Sequence, residues 1–342
     1  MNNEILDTEK SPIDYYPSKK MLSSMFNVGV SKKSIVPGFI SRTDGMDVDK
    51  TIDNLEKIVK SNPSQSGLLS RTLSVSDLSD SLYDRFSNNP NSIYNWFIEL
   101  KDGLDGTNTF FKTPKTYILR LPIELAQFIR IEYQDTSLSD RKLFNEYIFK
   151  TFKLEDDKTY FIKTGTFSSK FQFANAKCSE PREMGEYFQV INNFAMSVGA
   201  GQTIDICVRE YIDDVEENPT IYNGMPLRTE FRTFVDFDTN TVYGTVPYWD
   251  PIVMKRALKL GLSDSMERDY AVYMNHEDKL MSEFNDNVSK VNHGIKDIIG
   301  NINLKGRYSI DVMKNGEDFY IIDMALMDES ALVDILPEHP FK

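Results

Sequence analysis

"GRYSIDVMKNGEDFYIIDMAL", residues 306–326, sets two apolar runs on either side of an Asn315-Gly316 pair. That pattern predicts a β-hairpin. Each run carries an aspartate, Asp311 or Asp323, and a carboxylate in such a setting is costly unless it is paired or holds a cation. The parity of the loop decides what the two can do together. A two-residue turn at Asn315-Gly316 pairs Asp311 with Tyr320 and sends the aspartates to opposite faces. An odd-numbered loop, such as a three-residue turn with a bulge, puts both on one face. Joint coordination of Mg²⁺, which takes one or two carboxylates completed by phosphate and water oxygens, favours the odd loop. The alternative is two independently paired structural aspartates.

Upstream, "RTEFRTF" (228–234) alternates so that Arg228, Glu230 and Arg232 share one strand face and Thr229, Phe231 and Thr233 the other. Two guanidinium groups flanking a carboxylate suit a phosphate or carboxylate ligand; a solvated charge ladder is the alternative. "ICVREYIDD" (206–214) begins as a buried strand that Arg209 and Glu210 interrupt before Tyr211 and Ile212. A nucleotide base needs an apolar slot with one or two backbone hydrogen bonds, and a strand leaving the core here offers both. The competing reading is an edge strand with a surface ion pair. "FIKTGTFSSKF" (161–171) places Lys163 near a strand end, then Thr164, Gly165, Thr166, Ser168, Ser169 and Lys170 on the following loop. Backbone N–H groups, hydroxyls and an ammonium can hold phosphate oxygens. The stretch is not a GxxxxGK[ST] phosphate loop, and an exposed polar turn fits it as well.

Between these segments the patterns alternate. "KTYILRLP" (115–122) and "KTYFIKTG" read as strands, "PIELAQFIRIEYQD" as a helix opening near Pro122, and "SDRKLFNEYIFKTFKL" as a helix capped by Ser139. "EPREMGEYFQVINNFAMSVG" reads as a helix ended by Gly199. "LRTEFRTFVDFDTNTVYGTVPYW" forms two strands joined at "DTNT", and a helix begins at "HEDKLMSEFNDNVSKVNHGIKDIIGNI". Helices mixed with antiparallel hairpins predict an α+β fold. Residues 1–106 are polar, with helices at Asp47–Ser61 and Asn91–Leu104 around the Ser-rich stretch "SNPSQSGLLSRTLSVSDLSDS". They read as a helical lead-in with a mobile Ser-rich loop. "VPYWDP" (246–251) offers Trp249 as a pocket wall or a core aromatic.

The chain has 342 residues and a net charge of −13. A broad nucleic-acid or anionic-membrane surface is therefore not expected. The cysteines Cys178 and Cys207 form no CxxC pair, so neither a zinc site nor a disulfide framework is indicated. The histidines, His276, His293 and His339, lie in no Ser–His or Cys–His signature. No apolar run reaches membrane-spanning length, and "MNNEILDTEK" lacks a signal peptide's apolar stretch. The expectation is a cytoplasmic protein, in the host cytoplasm if phage-encoded.

Taken in order, "FIKTG", "VREYID", "TEFR", "SIDV" and "IIDMALMDESAL" resemble the ATP-grasp superfamily. The resemblance is to the branch that includes the cell-division-cycle assembly factor of eukaryotic translation initiation factor two and its bacterial and phage relatives. "KTPKTYIL" matches that branch's Pro-Lys step at Pro114-Lys115. The resemblance covers about residues 107–336. It implies an ATP-grasp-like fold in which two α+β subdomains, 107–206 and 207–342, grip ATP after the mainly helical segment 1–106. On matched positions Lys115 and Lys163 look like nucleotide-contacting residues, with Ser168, Ser169 and Lys170 on the loop over the phosphates. Glu210, Tyr211 and Ile212 would line the base, Asp213 would lie near the ribose, and Arg209 would be a further nucleotide-binding residue. Arg232 would meet the γ-phosphate with Arg228 and Glu230 beside it, and Asp311 and Asp323 would hold Mg²⁺.

The family's activity is ligation. ATP activates a carboxylate as an acyl phosphate, and an amine or other nucleophile then displaces phosphate, with Lys163 and Arg232 stabilising the transferred group. The resemblance leaves open an ATP-binding assembly or interaction factor with a protein partner, and a phosphotransferase. One departure bears on this. Members often place asparagine two positions after the second acid, where this chain has Ala325, which puts a two-metal site in question.

Overall fold

The computed structural model describes residues 5–6, 48–259 and 264–336. The chain divides into two compact units that share it in pieces. The first holds the described residues of Met1–Tyr94 with Thr116–Ser169 and Asn175–Tyr211; the second holds Asn95–Lys115, Lys170–Ala174 and the described residues of Ile212–Lys342. Each unit carries one five-stranded sheet with helices, so the fold is α+β.

In the first unit the sheet is built from β1 (Ile5–Leu6), β3 (Thr116–Arg120), β4 (Tyr160–Thr164), β5 (Lys177–Cys178) and β6 (Asp205–Glu210), in the order β1-β3-β6-β4-β5 with every pair antiparallel. One face packs Leu119, Tyr160, Ile162, Ile206 and Val208 into a core shared with Phe144 and Ile148 of α6 (Leu138–Thr151) and with Phe188 and Ile191 of α7 (Met184–Ser197). Gly199 ends α7 at φ 82°, as its position predicts. The cap of α6 is Ser137 rather than Ser139: its Oγ accepts from Asp140 N–H at 3.1 Å.

The helix expected over "PIELAQFIRIEYQD" stops early. Only α5 (Ile123–Phe128) forms. The carbonyls of Ile129 and Ile131 accept side-chain amides of Asn192 and Asn193 instead, while the buried Arg130 donates to the carbonyls of Ser74 and Ser76. Those tertiary bonds compete with the next helical turn for the same backbone groups.

The amino-terminal helices also belong to this unit. α1 (Val48–Ser61) matches its expectation, whose first residue, Asp47, lies outside the described residues. The Ser-rich stretch is not a loop throughout: it forms α2 (Ser66–Val75) and, with the residues after it, α3 (Asp80–Ser87). Ser79 caps α3 by accepting from Leu82 N–H at 3.1 Å, and Leu73, Leu82 and Phe86 join the core. α4 (Ile93–Asp105) follows, and from Asn95 onward it belongs to the second unit.

The second unit's sheet runs β10-β9-β11-β12-β2, with β2 (Phe111–Lys112), β9 (Glu230–Asp236), β10 (Thr241–Pro247), β11 (Arg307–Asn315) and β12 (Asp318–Leu326). All pairs are antiparallel except β12 with β2. A small pair, β7 (Thr220–Ile221) and β8 (Met225–Pro226), precedes β9. Asp250 accepts from Ile252 N–H and Val253 N–H ahead of Pro251, starting α8 (Pro251–Lys259). α9 (Asp264–Ile299) lies across β9 and β10, where Phe231 stacks on Phe284 at 5.3 Å.

That helix begins well before the expected His276. Its first turns bury Tyr273 and make polar contacts: Asp269 accepts Tyr222 N–H at 3.0 Å, and Tyr273 donates its hydroxyl to Trp249 O at 2.9 Å. Among the described residues, no helix is long and apolar enough to cross a membrane.

Candidate functional site

The carboxyl-terminal hairpin resolves the parity question in an unexpected way. Its loop is Gly316-Glu317, since Asn315 pairs with Asp318, and Gly316 takes φ 61°, a left-handed value suited to glycine. A two-residue loop alone would separate the aspartates. A bulge at Ile322 supplies the odd residue within the strand, so that Asp311 stands directly opposite Asp323 on one face. On its other side Asp311 faces Arg232 of β9. Three neighbouring strands thus present a row of Arg232, Asp311 and Asp323. Arg232 Nε donates to Asp311 Oδ1 at 2.7 Å and Nη2 to Oδ2 at 2.6 Å, a bidentate pair with both side chains mostly buried. Nη1 donates to Ala331 O at 3.1 Å. Burial works against the guanidinium's charge, and Asp311 outweighs it, holding Arg232 above its ordinary value.

Two more ionisable groups complete the face. Glu230 lies two residues before Arg232 on β9, and burial pushes its carboxyl up to about 7 against the pull of Lys170. Burial lowers the Lys170 ammonium to about 8, with Glu230 opposing and Arg232 adding to the fall; Asp311 and Asp323 also act on it. Lys170 belongs to the second unit with the short segment Lys170–Ala174, which is anchored there by Phe173 N–H donating to Tyr222 O at 3.1 Å. Its Nζ sits 3.9 Å from the centre of the Tyr248 ring, and Arg232 Cζ lies 4.6 Å from the same centre. Of the two readings of Trp249, the core aromatic is the one observed: it is buried and its Nε1 donates to Arg228 O at 2.9 Å, and Tyr248 is the ring beside the cations.

Arg228 precedes β9, and its guanidinium turns to the segment after β6. It donates to Ile212 O at 2.6 Å and to Asp214 at 3.2 Å. Burial would raise the Asp214 carboxyl, but Asn218 N–H and Arg228 hold it below its ordinary value. Asn315 Nδ2 donates to Asp213 O at 3.0 Å, and Lys314 pairs with Glu216 at 2.7 Å. Residues 212–216 are thereby fixed to the second unit's sheet, with the Asp213 side chain exposed.

The first unit carries Lys163 and Arg209 on the sheet face opposite its core. Lys163 pairs with Cys207 and Phe161 with Arg209 across β4 and β6, and both basic side chains are buried. Glu210 accepts from Lys158 at 3.0 Å, and Tyr211 lies under Lys177 Nζ at 4.3 Å. Half-buried Lys115 immediately precedes β3.

The loop after Lys163 is not an open phosphate cradle over residues 164–167. Thr164 N–H donates to Phe167 O, Gly165 N–H to Asp205 O, and the N–H groups of Thr166 and Phe167 to Thr164 Oγ1. Gly165 is glycine because a Cβ would lie 2.3 Å from Ser92 Oγ. Beyond this turn Ser168 is half-buried, and Ser169 is buried at φ 49° with no hydrogen-bond partner for its Oγ among the described residues.

Asp311 and Asp323 face each other, and carboxylate oxygens are the ligand type a hard cation takes. Arg232 takes one side of Asp311. Among the described residues no group of three or more His, Cys, Asp or Glu side chains could hold a metal ion, so Mg²⁺ here would rely on these two carboxylates and on oxygens of its ligand. Across from Ala325 stands Ser309, whose hydroxyl bonds Ser330 Oγ at 2.7 Å.

No family model matches the sequence, and no curated protein matches it. Solved structures do. Cdc123 from Schizosaccharomyces pombe is 12% identical over 75% of this chain and 90% of that one, with a TM-score of 0.41. Its C-terminally truncated form gives 13% identity over the same shares and a TM-score of 0.38. D-alanyl-alanine synthetase A from Vibrio cholerae O1 biovar eltor is 9% identical over 69% of this chain and 56% of that one, with a TM-score of 0.27. These are remote likenesses, each with a TM-score below 0.5.

Proposed function

We propose that the protein binds Mg·ATP with the triphosphate on the Arg232–Asp311–Asp323 row, and that it is a ligase of ATP-grasp type. The observation that carries this reading is the row itself: a bulge sets two carboxylates face to face beside a bidentate arginine. Asp311 and Asp323 would hold Mg²⁺, which neutralises phosphate oxygens when bound. A substrate carboxylate oxygen attacks Pγ; the bond to the ADP oxygen breaks, and an acyl phosphate and ADP form. An amine lone pair then attacks the acyl carbon, phosphate leaves with the C–O bonding pair, and the amine loses a proton.

Arg232 and Lys163, joined by Lys170, are assigned to the charge that develops on the transferred group, and Asp311 orients Arg232. Lys115, Lys163 and Arg209 are assigned to the nucleotide, with Ser168 and Ser169 over its phosphates. Glu210, Tyr211 and Ile212 are assigned to the base and Asp213 to the ribose. In this reading residues 107–206 and 207–342 are the gripping subdomains.

A second reading, an ATP-binding assembly or interaction factor, is favoured by Ala325, which removes one oxygen ligand from beside the row. A product assay separates them. ADP and phosphate that appear only when a carboxylate and an amine are supplied support ligation. Tight ATP binding without turnover supports the factor. ADP with a stable phosphorylated product indicates a phosphotransferase.

A further inference from the structure

Tyr248 is placed with unusual redundancy. Its N–H donates to Glu230 O at 3.0 Å, tying it to the strand that bears Arg232. The next residue, Trp249, is pinned by its own Nε1 bond to Arg228 O and by the Tyr273 hydroxyl on its carbonyl. The Tyr248 ring meets Trp249 edge-on at 5.0 Å between centres. This fixed ring serves two cations from different parts of the chain: Lys170 Nζ at 3.9 Å and Arg232 Cζ at 4.6 Å from its centre. Lys170 follows Ser169, a non-glycine residue held at φ 49°, so its backbone leaves a left-handed turn that favours few residues. Two like charges so close repel each other, and an aromatic quadrupole attracts both.

We propose that Tyr248 is the positioning residue that seats Lys170 and Arg232 together at the phosphoryl end of the site. The inference rests on the Mg·ATP reading for its functional consequence, but not for its geometry. Nothing in the ring's role requires the phenolic hydroxyl, so phenylalanine serves in its place and an aliphatic side chain does not.

The test uses the full chain in two arms. In the first, lysines are reductively ¹³C-methylated and the Lys170 signal is assigned with K170R. A ring beneath the ammonium shifts that signal upfield; the Phe171 and Trp249 rings, each 5.6 Å from the same Nζ, leave a remainder, so the shift persists in Y248F and falls by more than half in Y248L and in Y248M, the second variant guarding against a folding defect. A Lys170 signal indifferent to Y248L and Y248M overturns the inference whether or not nucleotide binds. In the second arm, calorimetric titration with a non-hydrolysable ATP analogue and Mg²⁺ is expected to weaken by roughly 10-fold to 100-fold in Y248L and Y248M, as loss of two cation–π contacts implies, and by no more than about 3-fold in Y248F. Wild-type affinity in both aliphatic variants overturns the inference. If the wild-type protein itself binds no analogue, the Mg·ATP reading falls, and the first arm still decides the placement of Lys170.

Discussion

Asp311 faces an arginine on one side and a second acid on the other, and both relations follow from strand pairing rather than from long flexible side chains. Truncating one partner of a buried ion pair strands the other. D311A is therefore expected to lower the free energy of unfolding by about 3–5 kcal/mol. R232M/D311L, which removes both charges, should lie within about 1 kcal/mol of wild type in stability while losing nucleotide affinity. Urea denaturation alongside ligand titration checks both; a D311A cost below ~1 kcal/mol would mean the pair is solvated. At this scale the sequence was informative up to a point. The two aspartates and Arg232 stood out as charges within apolar strands, and the one-face geometry was tied to an odd count of residues. The location of that odd residue, Ile322, was not legible, because a bulge is set by pairing with β11 and leaves no mark in local composition. Tyr248 was overshadowed by Trp249 for a similar reason: which ring of a pair turns inward is decided by tertiary hydrogen bonds.

Elements with an apolar stripe or a turn signal were readable; those held by polar tertiary contacts were not. α9 shows the contrast. Its carboxyl-terminal part buries Val291, Ile295 and Ile298, whereas its first turns depend on Asp269 and Tyr273. α8 did carry a signal, the Asp250-Pro251 start, and α3 its Ser79 cap. His276 on α9 supplies a pH test. Burial lowers its pKa from the ordinary 6.5, with Lys279 adding to the fall, and its Nε2 is buried with no hydrogen-bond partner among the described residues. Between the folded and unfolded values the unfolded chain binds more protons, so this contribution to stability is present above the unfolded value and is lost as pH falls through the folded one. The melting temperature of wild type should drop more steeply on acidification below about 6.5 than that of H276Q. Parallel acid limbs for the two proteins would show that His276 does not contribute.

For the molecule as a whole, the interleaving of the two units is the feature least visible in the sequence. Lys170–Ala174 folds with a sheet whose strands begin at residue 230 or later, apart from β2, and no local pattern announces contacts of that range. The α+β class was legible from the mixture of helices and hairpins. The proposal assigns nucleotide contacts to both units, which gives a prediction at this scale. A non-hydrolysable ATP analogue at about 100 times its Kd should stabilise the folded protein by roughly 2.7 kcal/mol, seen as a rise in Tm. K163A in the first unit should abolish that rise without unfolding the protein. An unchanged rise would remove Lys163 from the site.

The facing acids themselves admit the most direct measurement: titration of wild type and D323N with the non-hydrolysable analogue, once in Mg²⁺ and once in EDTA. If the row holds magnesium-bound triphosphate, D323N loses at least about tenfold in affinity in Mg²⁺, a difference of ~1.4 kcal/mol, and little in EDTA. Equal losses in both media, or none in either, would contradict the account and leave Asp323 a structural residue.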